Sequence, residues 1–258
     1  MPRRGVPDHA RDAGGDPEIL AAKAELREDV WSAMQAAGAS RFPGAFGRIP
    51  NFMGAEAAAE RLRETEEWQH ATTLKANPDS PQLPVRQRAL EDGKTVFMAV
   101  PRLAVPDPFF LLDPARLQTT PRKASSIAGA SRYGRTVPVE DLQPVDVVVA
   151  GSVAVDDQGR RLGKGGGFSD LEFAIAAELK LIGRNTVVVT TVHETQIVDR
   201  GRIPLTPHDV KLDLILTPER VIRCRSGRRP TASIRWEELT DAKVAAIPVL
   251  RRLAAGRR

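Results

Sequence analysis

Residues 145–172 read VDVVVAGSVAVDDQGRRLGKGGGFSDLE. From Val145 to Ala150 the run is apolar except for Asp146, the pattern of a strand covered on both faces of a sheet. Polar loop residues Asp156 to Arg161 follow, and then Gly163-Lys164-Gly165-Gly166-Gly167. Beyond the glycines, Phe168, Leu171, Ile175, Leu179 and Ile182 fall on one face of a helix at spacings of three and four. A strand, a glycine loop carrying a lysine, and a helix start make an anion cradle. Glycines let backbone N–H groups approach a phosphate, the helix N-terminus adds unpaired donors and partial positive charge, and Lys164 adds a full one.

The same residues also suit an ordinary turn. The loop lacks the Gly-Lys-Ser/Thr ending of a Walker loop and the spacing of the dinucleotide fingerprint. Ser169 to Glu172 has the form of a capping box, and Asp170 in a first helical turn is favoured by the helix dipole without any ligand. Spacing alone leaves phosphate binding and a structural turn both open.

Working outward, the chain of 258 residues is long enough for one large α/β domain with extensions. No apolar run approaches the length of a membrane span, and MPRRGVPDHARDAGGDP at the start lacks the apolar centre of a secretory signal. The single cysteine, Cys224, excludes an internal disulfide and a cysteine-based zinc cluster. The expected location is the cytoplasm. A net charge of +5 raises the question of nucleic acid, yet aromatics are only 5% of the chain and the stacking residues of a single-strand binder are missing. Anionic small ligands are the favoured reason for the positive charge, with no membrane partner and nucleic acid not favoured.

Residues 1–17 are rich in Gly, Pro, Asp and Arg without period and read as a disordered tail. Residues 18–250 read as one α/β domain and 251–258 as a basic tail. A helix over 18–37 carries Lys23 and Arg27 one turn apart, either a solvated face beside Glu25 and Glu28 or a two-point phosphate clamp. Further helices are expected over 54–68 and 84–92, and another over 236–246. Strands are expected near 70–76, 95–100, 145–150, 186–192 and 212–216, with 106–139 the least regular part. Alternation of this kind implies a mainly parallel open sheet with helices on both faces.

The quoted stretch, together with VHETQIV at 192–198, PHDVKLDLILTP at 207–218 and the pair Lys23-x-x-x-Arg27, resembles the 5-formyltetrahydrofolate cyclo-ligase family. Over about 23–250 the chain is most similar to that family's branch of methenyltetrahydrofolate synthetase domain-containing proteins. RIPNFMGAEAA (48–58), LKANPDSPQ (74–82), VRQRAL (85–90), AVPRL (99–103) and IPVLRRL (247–253) belong to the same resemblance. It implies a Rossmann-like three-layer α/β fold and an ATP- and magnesium-dependent ring closure of a reduced folate. In that reaction ATP phosphorylates the formyl oxygen of 5-formyltetrahydrofolate, a neighbouring nitrogen attacks, and phosphate leaves to give 5,10-methenyltetrahydrofolate. By position, the resemblance implies that Lys23, Arg27 and the loop Gly163, Lys164, Gly165, Gly166 and Gly167 bind ATP. Lys164 and Asp170 are the implied catalytic pair, with Asp170 near the magnesium. Phe168 lies against nucleotide or folate, and Gln196 is a second candidate for the substrate.

Departures from the pattern bear on activity. The family ending Gly-Tyr-Tyr-Asp is here Gly167-Phe168-Ser169-Asp170, and the basic residue that often follows is Leu171. Phe168 keeps a ring and loses a hydroxyl; Ser169 loses a whole ring. For the carboxylate that holds the pterin, Asp79 in its proline-bounded turn is the candidate. Three function classes stand: an ATP-dependent cyclo-ligase, a nucleotide- or folate-binding protein of the same fold without that catalysis, and an RNA-associated protein using the basic tail.

Overall fold

The computed structural model describes residues 16–138, 141–206, 209–224 and 233–256. The N-terminal tail up to Gly15, and Arg257 and Arg258 of the basic tail, lie outside the described residues. Ten strands are described: β1 (Thr73–Ala76), β2 (Thr95–Ala99), β3 (Phe109–Leu112), β4 (Arg135–Val137), β5 (Val147–Val149), β6 (Ala154–Val155), β7 (Arg161–Leu162), β8 (Val187–Thr191), β9 (Leu214–Leu216) and β10 (Val221–Arg223). Eight of them form one sheet in the order β10-β9-β8-β5-β1-β2-β3-β4, and β6 with β7 makes a separate hairpin. From β9 through β8, β5 and β1 to β2 every neighbour is parallel, while β10, β3 and β4 add antiparallel edges.

The alternation of side chains along each strand builds two cores. Leu74, Ala76, Val147, Val149 and Leu214 face α1 (Pro17–Ala36), α2 (Ala55–Arg63) and α4 (Leu83–Glu91). Phe97, Val148, Val188 and Ile215 face α7 (Phe168–Glu178) and α9 (Pro248–Ala255). This is the expected three-layer α/β sandwich. α1 starts where Asp16 accepts a hydrogen bond from the Glu18 N–H at 2.9 Å with Pro17 in the first turn.

Several local expectations change. The helix over 54–68 is two, α2 and α3 (Glu66–His70), because the Thr65 hydroxyl caps a new start through the Trp68 N–H. The irregular stretch 106–139 contains β3, α5 (Pro121–Ala124), α6 (Ile127–Tyr133) and β4; these elements are too short to display a period. Ser169 and Glu172 form no capping box: the residue before α7 is Gly167, in the left-handed region, with no side-chain cap. α7 also stops at Glu178, short of the Ile182 that the apolar spacing suggested. The helix over 236–246 is a short 3-10 turn and α8 (Asp241–Ala246), and residues 251–255 continue α9 behind buried Val249 and Leu250.

β1 leads out to β2 on one side, whereas β5 leads to β8 and β9 on the other, so the order reverses between β1 and β5. In open α/β sheets the crevice beyond such a reversal is where ligands bind. At its opposite end the same pair is clamped by Asp146. Its Oδ2 accepts from the N–H groups of Thr72 at 2.8 Å and Thr73 at 3.0 Å, and from both hydroxyls at 3.0 Å. Partial burial opposes the charge on this carboxyl, but the hydrogen bonds from Thr72 and Thr73 outweigh it and hold its pKa below the ordinary value.

A depressed folded pKa means stabilisation that is present above the ordinary aspartate range and is lost as pH falls through the folded value. Asp146→Ala is therefore expected to cost about 1–3 kcal/mol at neutral pH. In denaturant melts the gap between wild type and variant should shrink as the pH drops below that range.

Candidate functional site

Asn77 follows β1 and Gly151 lies just after β5, and the two segments meet at the reversal. The Asn77 N–H donates to the Val149 carbonyl at 3.1 Å, and its Oδ1 accepts from the Gly151 N–H at 3.3 Å. Opposite them runs the glycine loop, which connects β7 to α7. Gly165 has φ +108 and Gly167 φ +65, conformations that L side chains rarely adopt. No backbone N–H from Lys164 to Ser169 donates to any described residue, so the loop presents a run of unpaired donors. That is what an anion cradle requires.

Neither cation of α1 pairs with Glu25 or Glu28: Arg27 turns to this loop and Lys23 to the segment around Asp209. Arg27 donates through Nε to the Gly163 carbonyl at 2.7 Å, and a Cβ on Gly165 would sit 3.5 Å from its Cζ. Burial lowers the Arg27 pKa from its ordinary value, against the pull of Asp209. Lys23 is buried and ion-paired with Asp209 at 2.7 Å, and it donates to the Thr206 hydroxyl at 3.3 Å. Lys164, half exposed, pairs with Asp79 at 3.2 Å.

Asp170 is held by a residue that sequence reading left in a loop. Alternation on the β6–β7 hairpin turns Arg161 inward, where it donates to the Asp170 Oδ1 at 2.6 Å and to the Gly151 carbonyl at 2.8 Å. Burial works against the charge on Arg161, yet Asp170, with Asp209 and Asp79 adding to it, outweighs that cost and leaves the guanidinium pKa above its ordinary value. The Arg161 Nε is buried with no hydrogen-bond partner among the described residues. The Val210 N–H reaches the same Asp170 oxygen at 3.4 Å, which brings the Asp209 backbone alongside. Asp170 and Asp209 thus join Asp79 as carboxylates near the loop, each tied to a cation, and no group of three metal-ligating side chains exists among the described residues.

Beneath the loop lies a polar network that no motif announced. Lys75 alternates with Leu74 and Ala76, so it points toward α7 and is buried against Glu172. Asn77 Nδ2 donates to the same Glu172 oxygen at 3.2 Å, and the Ser169 hydroxyl donates to Asn77 Oδ1 at 3.3 Å. Burial pushes the Glu172 carboxyl above its ordinary pKa despite Lys75. Arg86, fully buried, pins the following turn by donating to the carbonyls of Asn77, Pro78 and Asp79 and, at 2.9 Å, to that of Ser125. Desolvation lowers its pKa to about 10.

The remaining expected residues are placed differently. Phe168 packs against the core beneath α7, with the Lys243 ammonium 5.6 Å from its ring centre. The amide of Gln196 is engaged by the chain itself: Nε2 donates to the carbonyls of Ser152 and Val153 at 2.9 and 3.1 Å, and Oε1 accepts from the His193 N–H. The structure thus gathers Arg27, Lys164, the glycines and Asp170 around one crevice, holds Lys23 beside it on Asp209, and gives Gln196 a structural engagement. Arg161 and Lys75 escaped sequence reading; for Lys75 the visible signal was a lone charge between Leu74 and Ala76, whereas Arg161 follows Arg160 in a polar run and gave none.

The family model of the 5-formyltetrahydrofolate cyclo-ligase family matches residues 19–218. The methenyltetrahydrofolate synthase domain-containing protein of Bos taurus is 37% identical over 241 residues, covering 92% of this chain and 63% of that protein. A 5-formyltetrahydrofolate cyclo-ligase of Mycolicibacterium smegmatis is 36% identical over 86 residues, 33% of this chain and 40% of that one. The solved structure of the Aquifex aeolicus 5,10-methenyltetrahydrofolate synthetase aligns over 80% of this chain and 94% of its own with a TM-score of 0.50 at 22% identity, a likeness of fold. The chain spans 63% of the length of the bovine relative.

Removing one member of a buried pair strands the other charge, at about 3–5 kcal/mol, whereas replacing both with apolar side chains is nearly neutral. Lys75→Met should therefore lower stability by about that amount, and Lys75→Met with Glu172→Leu should recover most of it. A double variant no more stable than the single one in chemical denaturation would show that the pair is not what holds α7 to β1.

Proposed function

The chain belongs to the 5-formyltetrahydrofolate cyclo-ligase family, and from that premise we propose that it closes the ring of 5-formyltetrahydrofolate to 5,10-methenyltetrahydrofolate with ATP and magnesium. The observation that carries the reading is the run of N–H groups from Lys164 to Ser169 that find no acceptor among the described residues, with the Arg27 guanidinium beside Gly165. Donors and cations of this kind fit a nucleotide's phosphates. ATP supplies the phosphoryl group that turns the formyl oxygen into a leaving group. Magnesium travels with phosphates and needs few protein ligands; Asp170 and Asp209 are carboxylates at hand for it, once drawn from Arg161 and Lys23.

The chain's own part is positioning and electrostatics. The loop amides hold the phosphates, Arg27 and Lys164 balance charge as it develops on them, and Arg161 holds Asp170 in place at the edge of the loop. Asp79, seated on the turn that Arg86 pins, is the carboxylate offered to the N–H groups of the folate. A second reading, binding of nucleotide or folate without ring closure, draws on Ser169 and Leu171. The Ser169 hydroxyl is directed to Asn77 and brings no ring to a ligand, and Leu171 is buried in the core beneath α7.

ATP-dependent growth of the methenyltetrahydrofolate absorbance tests the first reading; nucleotide binding without that absorbance supports the second. Lys164→Ala should weaken ATP binding by about 1–3 kcal/mol, and Arg27→Ala by a similar amount, the scale of a charge-assisted hydrogen bond. Unchanged affinity in folded variants, followed by calorimetry, would count against the phosphate site.

A further inference from the structure

Four cations around the crevice are each held by a carboxylate, and one of these pairs differs from the rest. The pairs Lys23–Asp209, Arg161–Asp170 and Lys75–Glu172 have cations no more than 8% exposed, whereas the Lys164 side chain is 49% exposed and its partner Asp79 18%. Lys164 sits in the loop, and Asp79 sits on the turn after β1. The two segments also differ in freedom. The Asp79 turn is fixed through Arg86, which donates to the carbonyls of Pro78 at 3.3 Å and Asp79 at 3.2 Å. The Asp79 carboxylate is itself lodged against the end of β5, with Oδ2 3.0 Å from where a Gly151 Cβ would be. Lys164 is flanked by Gly163 and Gly165, and its neighbouring N–H groups have no acceptor among the described residues. In any separation, then, the lysine moves and the aspartate stays.

We propose that Asp79 is an internal competitor for Lys164. In the ligand-free chain its carboxylate occupies the ammonium that a phosphate would otherwise take. A phosphate ligand draws Lys164 away and leaves Asp79 open to N–H donors of a second ligand at the same mouth. The proposal rests on the nucleotide reading above and adds to it a coupling between the two ligands. By linkage, each ligand then favours the other by the same factor. Because the pair is partly exposed, its strength is that of a surface ion pair, which corresponds to about a two- to fivefold effect on affinity.

The test is calorimetric titration of a non-hydrolysable ATP analogue with magnesium into wild type, Asp79→Asn, Lys164→Ala and the double variant. Removing the competitor should tighten nucleotide binding by about two- to fivefold. Most of that gain should vanish when Lys164 is already absent, since only the loss of one negative charge near a polyanion remains. Asp79→Ser repeats the measurement should the asparagine variant fold poorly. Affinity unchanged or weakened by loss of the carboxylate overturns the proposal, as does an equal gain in both backgrounds. Wild type that binds no nucleotide removes the underlying reading and the proposal with it. Wild type that binds, with Asp79→Asn unchanged, removes the competitor alone.

Discussion

Leu74–Ala76 runs parallel to Val147–Val149, and each neighbouring feature takes its position from that pairing. Parallel strands cannot be joined by a tight turn, so the chain leaves β1 through β2, β3 and β4 before β5 returns to pair on the other side. The reversal opens a crevice at the carboxyl ends, and side chains fix both ends of the pair. Asp146 binds the amides of Thr72 and Thr73 at one end, and Asn77 joins the backbone of Gly151 at the other. Without that junction the glycine loop would have no opposite wall.

The crevice is built from charges in low-dielectric surroundings, where unpaired charge is costly. Pairing solves this for Lys23, Lys75 and Arg161, each buried against its own carboxylate. Arg27 is the exception, with a backbone carbonyl as its hydrogen-bond partner and its guanidinium beside the loop. Arg86 shows a different solution, a buried guanidinium satisfied by carbonyls alone, which trades an ion pair for a rigid turn. Together these arrangements fix the charges beneath a loop whose N–H groups from Lys164 to Ser169 have no acceptor among the described residues.

How legible each part was depends on the range of the interaction that sets it. The strands at 95–99 and 187–191 were readable because two-sided burial writes a continuous apolar run. The glycine loop was readable because positive φ at Gly165 and Gly167 restricts which residues fit. β3, β4, α5 and α6 were missed because each is short and takes its support from neighbouring elements, β3 from β2, β4 from β3, α5 from α4 and α6 from α5 and β3, rather than from its own periodicity. The capping box at Ser169 and Glu172 had the right spacing, yet Glu172 is turned to Lys75, a contact across 97 positions of sequence.

By itself the sequence determined the α/β class, the mainly parallel central strands, the position of the glycine loop and the family. These follow from local pattern, backbone sterics and residue identity, none of which needs a distant partner. Only the tertiary structure decided which charges meet. That Lys23 goes to Asp209, Arg161 to Asp170 and Lys164 to Asp79 depends on segments brought together by strand order. Coulombic and hydrogen-bonding partners are selected by distance in space, and a linear sequence carries no direct record of that distance.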